Sequence, residues 1–168
     1  MSARDRKAVA LVFEPMRERD LDEVLAIESV SYPSPWSRNS FVFDLRENPF
    51  SRATIARDEG GRLVGYTCCW HLENELRINN IAVHPARRGE GIGRLMLRRV
   101  LEEGRRAGCR LAALEVRPSN TVARALYESE GFVQIARRKE YYTREKEDAL
   151  VLEVDLRTGT QAAGEEDR

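Results

Sequence analysis

Leu76-Arg77-Ile78-Asn79-Asn80-Ile81-Ala82-Val83-His84-Pro85 runs into Ala86-Arg87-Arg88-Gly89-Glu90-Gly91-Ile92-Gly93-Arg94 and then Leu95-Met96-Leu97-Arg98-Arg99. The first part is apolar and partly β-branched, which predicts a strand that ends at Pro85. The last part sets Ile92, Leu95, Met96 and Val100 at helical spacing. Between them lies an arginine-rich loop with Gly89, Gly91 and Gly93 at alternate positions. Strand, glycine loop and helix together offer several backbone N–H groups at a helix N-terminus, an arrangement suited to phosphate. Arg87, Arg88 and Arg94 would add charge-assisted hydrogen bonds. Taken alone, the loop reads equally well as a tight turn before a surface helix. The phosphate-loop pattern needs Gly-Lys-Ser/Thr, but Gly93 is followed by Arg94 and Leu95. The dinucleotide fingerprint needs Gly-x-Gly-x-x-Gly, and the spacing here is Gly-x-Gly-x-Gly.

The 168 residues suit one domain with a sizeable core. Lysine and arginine together number 28, as do aspartate and glutamate. A formally neutral chain argues against direct binding to bulk nucleic acid, which needs a basic excess. No apolar run has membrane-spanning length and no leader pattern opens the chain, so a cytoplasmic protein with no membrane partner is expected. Cys68, Cys69 and Cys109 form neither a metal nor a disulfide pattern and read as reduced, buried thiols. No metal is expected.

Outward from the organising stretch, residues 1–8 read as a polar tail, 9–157 as the domain and 158–168 as a second tail. Val9 to Met16 predicts a first strand. Asp20 with Glu23 predicts a capping box for a helix whose apolar stripe is Leu21, Val24 and Leu25 and which continues through Glu28. Tyr32-Pro33-Ser34-Pro35-Trp36 breaks that helix, and Ser37 caps the next, which ends at Asn48-Pro49. Ser51–Arg57 and Leu63–His71 read as a hairpin around Asp58-Glu59-Gly60-Gly61. Gly108 stands where the organising helix should stop. Leu111–Val116 predicts a strand, and Asn120 opens a helix carrying Ala123, Leu126 and Tyr127. Phe132–Arg137 and Leu150–Leu156 predict a closing strand pair. The fold class is therefore α/β, or α+β: a mixed central sheet of about seven strands flanked by about four helices.

Alternation sets Glu115 on the face opposite Leu114 and Val116. A glutamate in an apolar strand is either exposed or arginine-paired, or it is a carboxylate poised as a general base. Tyr127 reads as an amphipathic core tyrosine and Asn120 as a helix cap.

Arg88-Gly89-Glu90-Gly91-Ile92-Gly93 resembles the acetyl-CoA signature of the GNAT acyltransferase superfamily, Arg/Gln-x-x-Gly-x-Gly/Ala. Leu114-Glu115-Val116-Arg117, Ser119-Asn120, Ala123-x-x-Leu126-Tyr127, Gly131-Phe132, Asn80-Ile81-Ala82-Val83, Tyr141-Tyr142 and Pro35-Trp36-Ser37 resemble its ribosomal-protein-alanine N-acetyltransferase (RimI-type) group. The resemblance spans roughly residues 10–156 and implies a GNAT-like domain. It also implies an acetyl-CoA-dependent acyltransferase acting on a protein N-terminus, with the N-terminal alanine of a ribosomal protein as acceptor. By position it implies that the backbone of Ile81, Ala82 and Val83 pairs with pantetheine. It implies that Arg88, Gly89, Glu90, Gly91, Ile92, Gly93 and Arg94 hold the pyrophosphate, and that Asn120 bonds the cofactor. Glu115 would be the general base, Tyr127 the general acid, and Trp36, Tyr141 and Tyr142 the acceptor side. Two alternatives share the acetyl-CoA half of the pattern: an enzyme acting on a small amine or lysine side chain, and a non-catalytic CoA-binding module.

Overall fold

The computed structural model describes residues 9–142 and 147–157, with side chains described for 9–139 and 147–157. Its strands are β1 (Val12–Pro15), β2 (Ser51–Arg57), β3 (Leu63–Leu72), β4 (Glu75–Val83), β5 (Leu111–Val116), β6 (Val133–Tyr142) and β7 (Glu147–Asp155). They form one sheet in the order β1-β2-β3-β4-β5-β7-β6. Only β4 and β5 pair in parallel; every other neighbouring pair is antiparallel. The crossover joining β4 to β5 is the glycine loop followed by helix α3 (Ile92–Arg106), as a parallel connection requires.

Helices α1 (Leu21–Ser31) and α2 (Arg38–Arg46) pack on one face through Leu21, Val24, Ile27 and Phe41. Helix α3 and helix α4 (Thr121–Ser129) cover the other through Leu97, Leu101 and Tyr127. Cys68 belongs to the first core and Cys69 to the second, as alternation along β3 demands. Cys68, Cys69 and Cys109 are all free and buried.

Several local expectations meet corrections. The first strand is only Val12–Pro15, and the closing strands run longer than their apolar segments. β6 is the sheet edge, so its run of Arg137, Arg138, Lys139 and Glu140 carries no apolar alternation to read. Asp20 precedes α1 but makes no cap hydrogen bond to it. Its carboxylate instead accepts from the Arg17 N–H at 2.8 Å and pairs with Arg57 at 2.8 Å. Glu23 also turns to Arg57, at 3.1 Å. The anticipated capping box is therefore replaced by a tie between the helix start and β2. Ser37 does cap α2, accepting from the Ser40 N–H at 3.1 Å. Gly108 and Gly131, at φ +90° and +95°, end α3 and α4 in the left-handed conformation that glycine accepts.

Glu130, just past α4, takes the guanidinium groups of Arg94 and Arg98 on α3. Burial opposes its ionisation, but the hydrogen bonds and charge of Arg98 and Arg94 outweigh it and hold its carboxyl below the usual range. A depressed native value adds stability above the unfolded value of about 4.3, and that stability is lost as pH falls through the native value. Glu130→Gln is expected to cost about 1 kcal/mol at pH 7. In urea melts the gap should close below about pH 4; a gap constant from pH 7 to 3 would show that the charge contributes nothing.

Candidate active site

Parallel pairing between β4 and β5 runs from Glu75–Leu111 to Ile78–Leu114 and then stops. β4 continues to Val83 and β5 to Val116, so their C-terminal ends diverge. The pairing of β4 with β3 also breaks here. Cys69 faces Ile78 and Cys68 faces Asn80, leaving Asn79 as an extra residue, a β-bulge. The bulge shifts the facing of β4. Before it, Leu76 and Ile78 pack toward α3; after it, Ile81 and Val83 take that side, and Ala82 joins the core under α1. Two cavities open beside the divergent strands, of about 640 Å³ on the glycine-loop side and about 180 Å³ on the other. Tyr32, Ile81, Asn120, Ala123 and Tyr127 line both.

The larger cavity ends at the start of α3. Gly89 and Gly91 hold φ +81° and +84°, where a side chain would be strained. The first intrahelical bond of α3 is donated by Leu95 to Gly91 at 3.1 Å. The N–H groups of Ile92, Gly93 and Arg94 therefore precede the helical ladder and are available to an anion. The three arginines differ. Arg87 pairs with Asp58 and Glu90, both at 2.8 Å, and Arg94 pairs with Glu130. Among the described residues, Arg88 donates only to the Val83 carbonyl and the Ser31 hydroxyl, both at 3.2 Å. Among the described residues, Arg88 is the guanidinium of this loop with no carboxylate partner. Gly93 has an ordinary φ; a Cβ there would touch Leu126 and Val83 at 3.6 and 3.7 Å. Asn120 caps α4, accepting from the Ala123 N–H at 3.3 Å, and lines both cavities.

Glu115, Tyr127 and Trp36 all line the smaller cavity. Glu115 pairs with Arg138 at 3.1 Å and keeps 18% of its side-chain surface exposed. Tyr127 is buried and packs against Phe132. Because Leu114 and Val116 share the core of Tyr127, alternation brings Glu115 to the cavity from the opposite face of the sheet. Tyr141 and Tyr142 end β6 by their backbone; their side chains lie outside the described residues.

Two residues of this region escape a reading of the sequence for catalysis. Glu28, on α1, is 1% exposed. It accepts from the Trp36 N–H at 3.1 Å, from Asn80 Nδ2 at 2.9 Å and from the Tyr66 hydroxyl. Its signal was a glutamate seven residues after Leu21 on the apolar side of α1. Tyr32 follows α1 in an extended conformation, φ −130° and ψ 135°, as a residue before proline prefers. Its hydroxyl donates to the Ile81 carbonyl at 2.9 Å and accepts the Ile81 N–H at 3.1 Å. Burial, then Tyr127 nearby, pushes its pKa far up, so it stays a neutral phenol. Among the described residues no group of three or more His, Cys, Asp or Glu could hold a metal, and no helix is long and apolar enough to cross a membrane.

The sequence pattern of the Acetyltransferase (GNAT) family matches residues 21–132. A putative ribosomal protein bS18-alanine N-acetyltransferase of Bacillus subtilis is 38% identical over 141 residues, 84% of this chain and 93% of that protein. The ribosomal protein bS18-alanine N-acetyltransferase of Escherichia coli K12 is 31% identical over 139 residues, 82% of this chain and 92% of that one. The crystal structure of the ribosomal-protein-S18-alanine N-acetyltransferase from Escherichia coli superposes with a TM-score of 0.79 at 28% identity, covering 88% of this chain and 94% of the other. The divergent strands, the helix N-terminus beyond the glycine loop and these likenesses agree: the chain belongs to the GNAT family of acetyltransferases, enzymes that use acetyl-CoA, within the ribosomal-protein-alanine N-acetyltransferase group.

Proposed function

We propose that this enzyme transfers the acetyl group of acetyl-CoA to the α-amino group of a protein N-terminus, with the N-terminal alanine of a ribosomal protein as acceptor. The observation that carries the reading is the meeting of two cavities at Ile81 and Tyr127. One is the larger and ends at a cationic helix N-terminus. The other is smaller and has a carboxylate, a phenol and an indole in its wall. The names of the relatives supply the acceptor. The domain over residues 9–157 is the whole transferring unit in this reading. Its buried free thiols fit work in the cytoplasm. No step is assigned to a metal, a membrane or a nucleic acid.

Acetyl-CoA supplies an acyl group already activated as a thioester. The N–H groups of Ile92, Gly93 and Arg94, with Arg88 and the backbone of Gly89, Glu90 and Gly91, would hold its pyrophosphate. The backbone of Ile81, Ala82 and Val83 would lie along the pantetheine as an added strand. The Ile81 N–H and carbonyl, held by the Tyr32 hydroxyl, would be among the backbone groups offered to it. Asn120 would bond the cofactor from the α4 side. An α-amine has a pKa of about 8, against about 10.4 for lysine, so it sheds its proton more easily at neutral pH. Glu115 would accept that proton, directly or through a water. A backbone N–H near Val83 would face the acetyl oxygen as charge develops on it. Tyr127 would protonate the leaving sulfur, and Trp36, Tyr141 and Tyr142 would flank the acceptor.

Two peptides test the reading. One carries a free alanine terminus; the other is terminally blocked and carries an internal lysine. Acetylation of the first alone is expected. Equal acetylation of both would overturn the reading and favour an enzyme for side-chain or small amines.

A further inference from the structure

We infer that Asn79 and Asn80 form a subsite that reads the α-amino and carbonyl groups of the acceptor's first residue. The inference rests on the acceptor proposed above and names what selects it. The bulge puts these two consecutive amide side chains on the wall of the smaller cavity, next to Ile81, where that cavity meets the larger one. A bulge re-aims side chains in this way.

Asn80 is 3% exposed, and its Nδ2 is committed to Glu28 at 2.9 Å. That bond fixes the amide orientation, so Oδ1 is the acceptor left over, and it has no partner among the described residues. Glu28 is itself held by the Trp36 N–H and the Tyr66 hydroxyl. The Tyr66 proton is therefore committed to Glu28. The Asn79 Nδ2 is also buried, and it too has no partner among the described residues. Folded proteins pair nearly all such groups, so an orphaned acceptor beside an orphaned donor calls for a ligand presenting both.

A chain terminus presents both. Its amine donates, and the carbonyl of the same residue, roughly 3 Å from the amine by covalent geometry, accepts. Asn80 Oδ1 would take an amine N–H beside Ile81, and Asn79 Nδ2 would meet the carbonyl one residue further back along β4. The amine of a lysine side chain has no carbonyl at that distance, and neither has a polyamine. The pair thus discriminates by leaving a buried group unpaired when the wrong amine enters.

The test compares an alanine-terminated peptide with its analogue in which an (E)-alkene replaces the first peptide bond. The analogue keeps the amine and the shape but lacks the carbonyl. Wild type is expected to prefer the amide by about tenfold or more in kcat/KM. Asn79→Ala is expected to erase most of that preference through the KM of the amide peptide, with the KM of acetyl-CoA unchanged. Asn80→Ser is expected to raise the KM of both peptides, since both carry the amine. Among the described residues the Asn79 side chain makes no hydrogen bond to the fold, so its variant reports even if Asn80→Ser does not fold. An unchanged preference in Asn79→Ala overturns the inference, as does a wild type indifferent to the carbonyl. Failure of wild type to acetylate either peptide overturns the acceptor reading, and this inference with it.

Discussion

Glu115→Gln is expected to lose on the order of 10²–10⁴-fold in kcat/KM, the usual worth of general acid–base catalysis. Glutamine keeps the shape and can still face Arg138, but it cannot take a proton from the incoming amine. Raising the pH should partly restore the variant, because more of the acceptor amine is then already neutral. Tyr127→Phe should fail differently. The ring stays packed on Phe132 and only the hydroxyl is lost. In its proposed role the missing proton is the one delivered to the leaving sulfur, so higher pH should give no rescue. The measurement is kcat/KM against pH for both variants, with circular dichroism as a folding control. Near wild-type activity of Glu115→Gln across the range would make the glutamate structural and move the base to a water chain or another residue. Parallel profiles for the two variants would remove the division of labour between them.

The largest effect on stability is expected at Glu28. It is buried and accepts three donors, from Trp36, Tyr66 and Asn80. Truncating it leaves each donor without an acceptor in the interior, which costs more than the net worth of the bonds themselves. Glu28→Ala is expected to lower the unfolding free energy by about 3–5 kcal/mol, or the melting temperature by roughly 10 °C in a domain of this size. Glu28→Gln should lose less, since it keeps one acceptor oxygen. Thermal melts of the three proteins decide it; an alanine variant melting within about 2 °C of wild type would mean that water replaces the carboxylate. The same network fastens the Trp36 segment and Asn80 to α1, so the surviving fraction of Glu28→Ala should show a raised acceptor KM and ordinary acetyl-CoA binding.

How much of this was legible from the chain depends on the range of the interaction. The hairpin, the Ser37 cap, the glycine-terminated helices and the core order of strands and helices follow from neighbours in sequence. Periodicity, caps and turn residues act over a few positions, and each leaves a local mark. The glycine loop was legible for the same reason: Gly89 and Gly91 adopt the left-handed φ that their lack of a Cβ permits. The Asp20–Glu23 capping box failed because Arg57, on a distant strand, competes for both carboxylates. The length of β6 was hidden because an edge strand is held by backbone pairing with β7, which polar side chains do not reveal.

The sequence by itself determined the apolar faces, the glycine loop that opens α3 and, through the residues that resemble a known family, the chemistry to look for around Glu115 and Tyr127. Only the tertiary structure decided which arginines of the loop are claimed by carboxylates remote in sequence, Arg87 by Asp58 and Arg94 by Glu130. It alone set the bulge at Asn79, because a bulge is a mismatch between two strands and exists only in their pairing. And it alone brought Glu28 and Tyr32 to the site, from α1 and the residue that follows it, across 52 and 49 residues of chain to Asn80 and Ile81. Contacts of that separation are fixed by the packing of whole elements, and no local pattern encodes them.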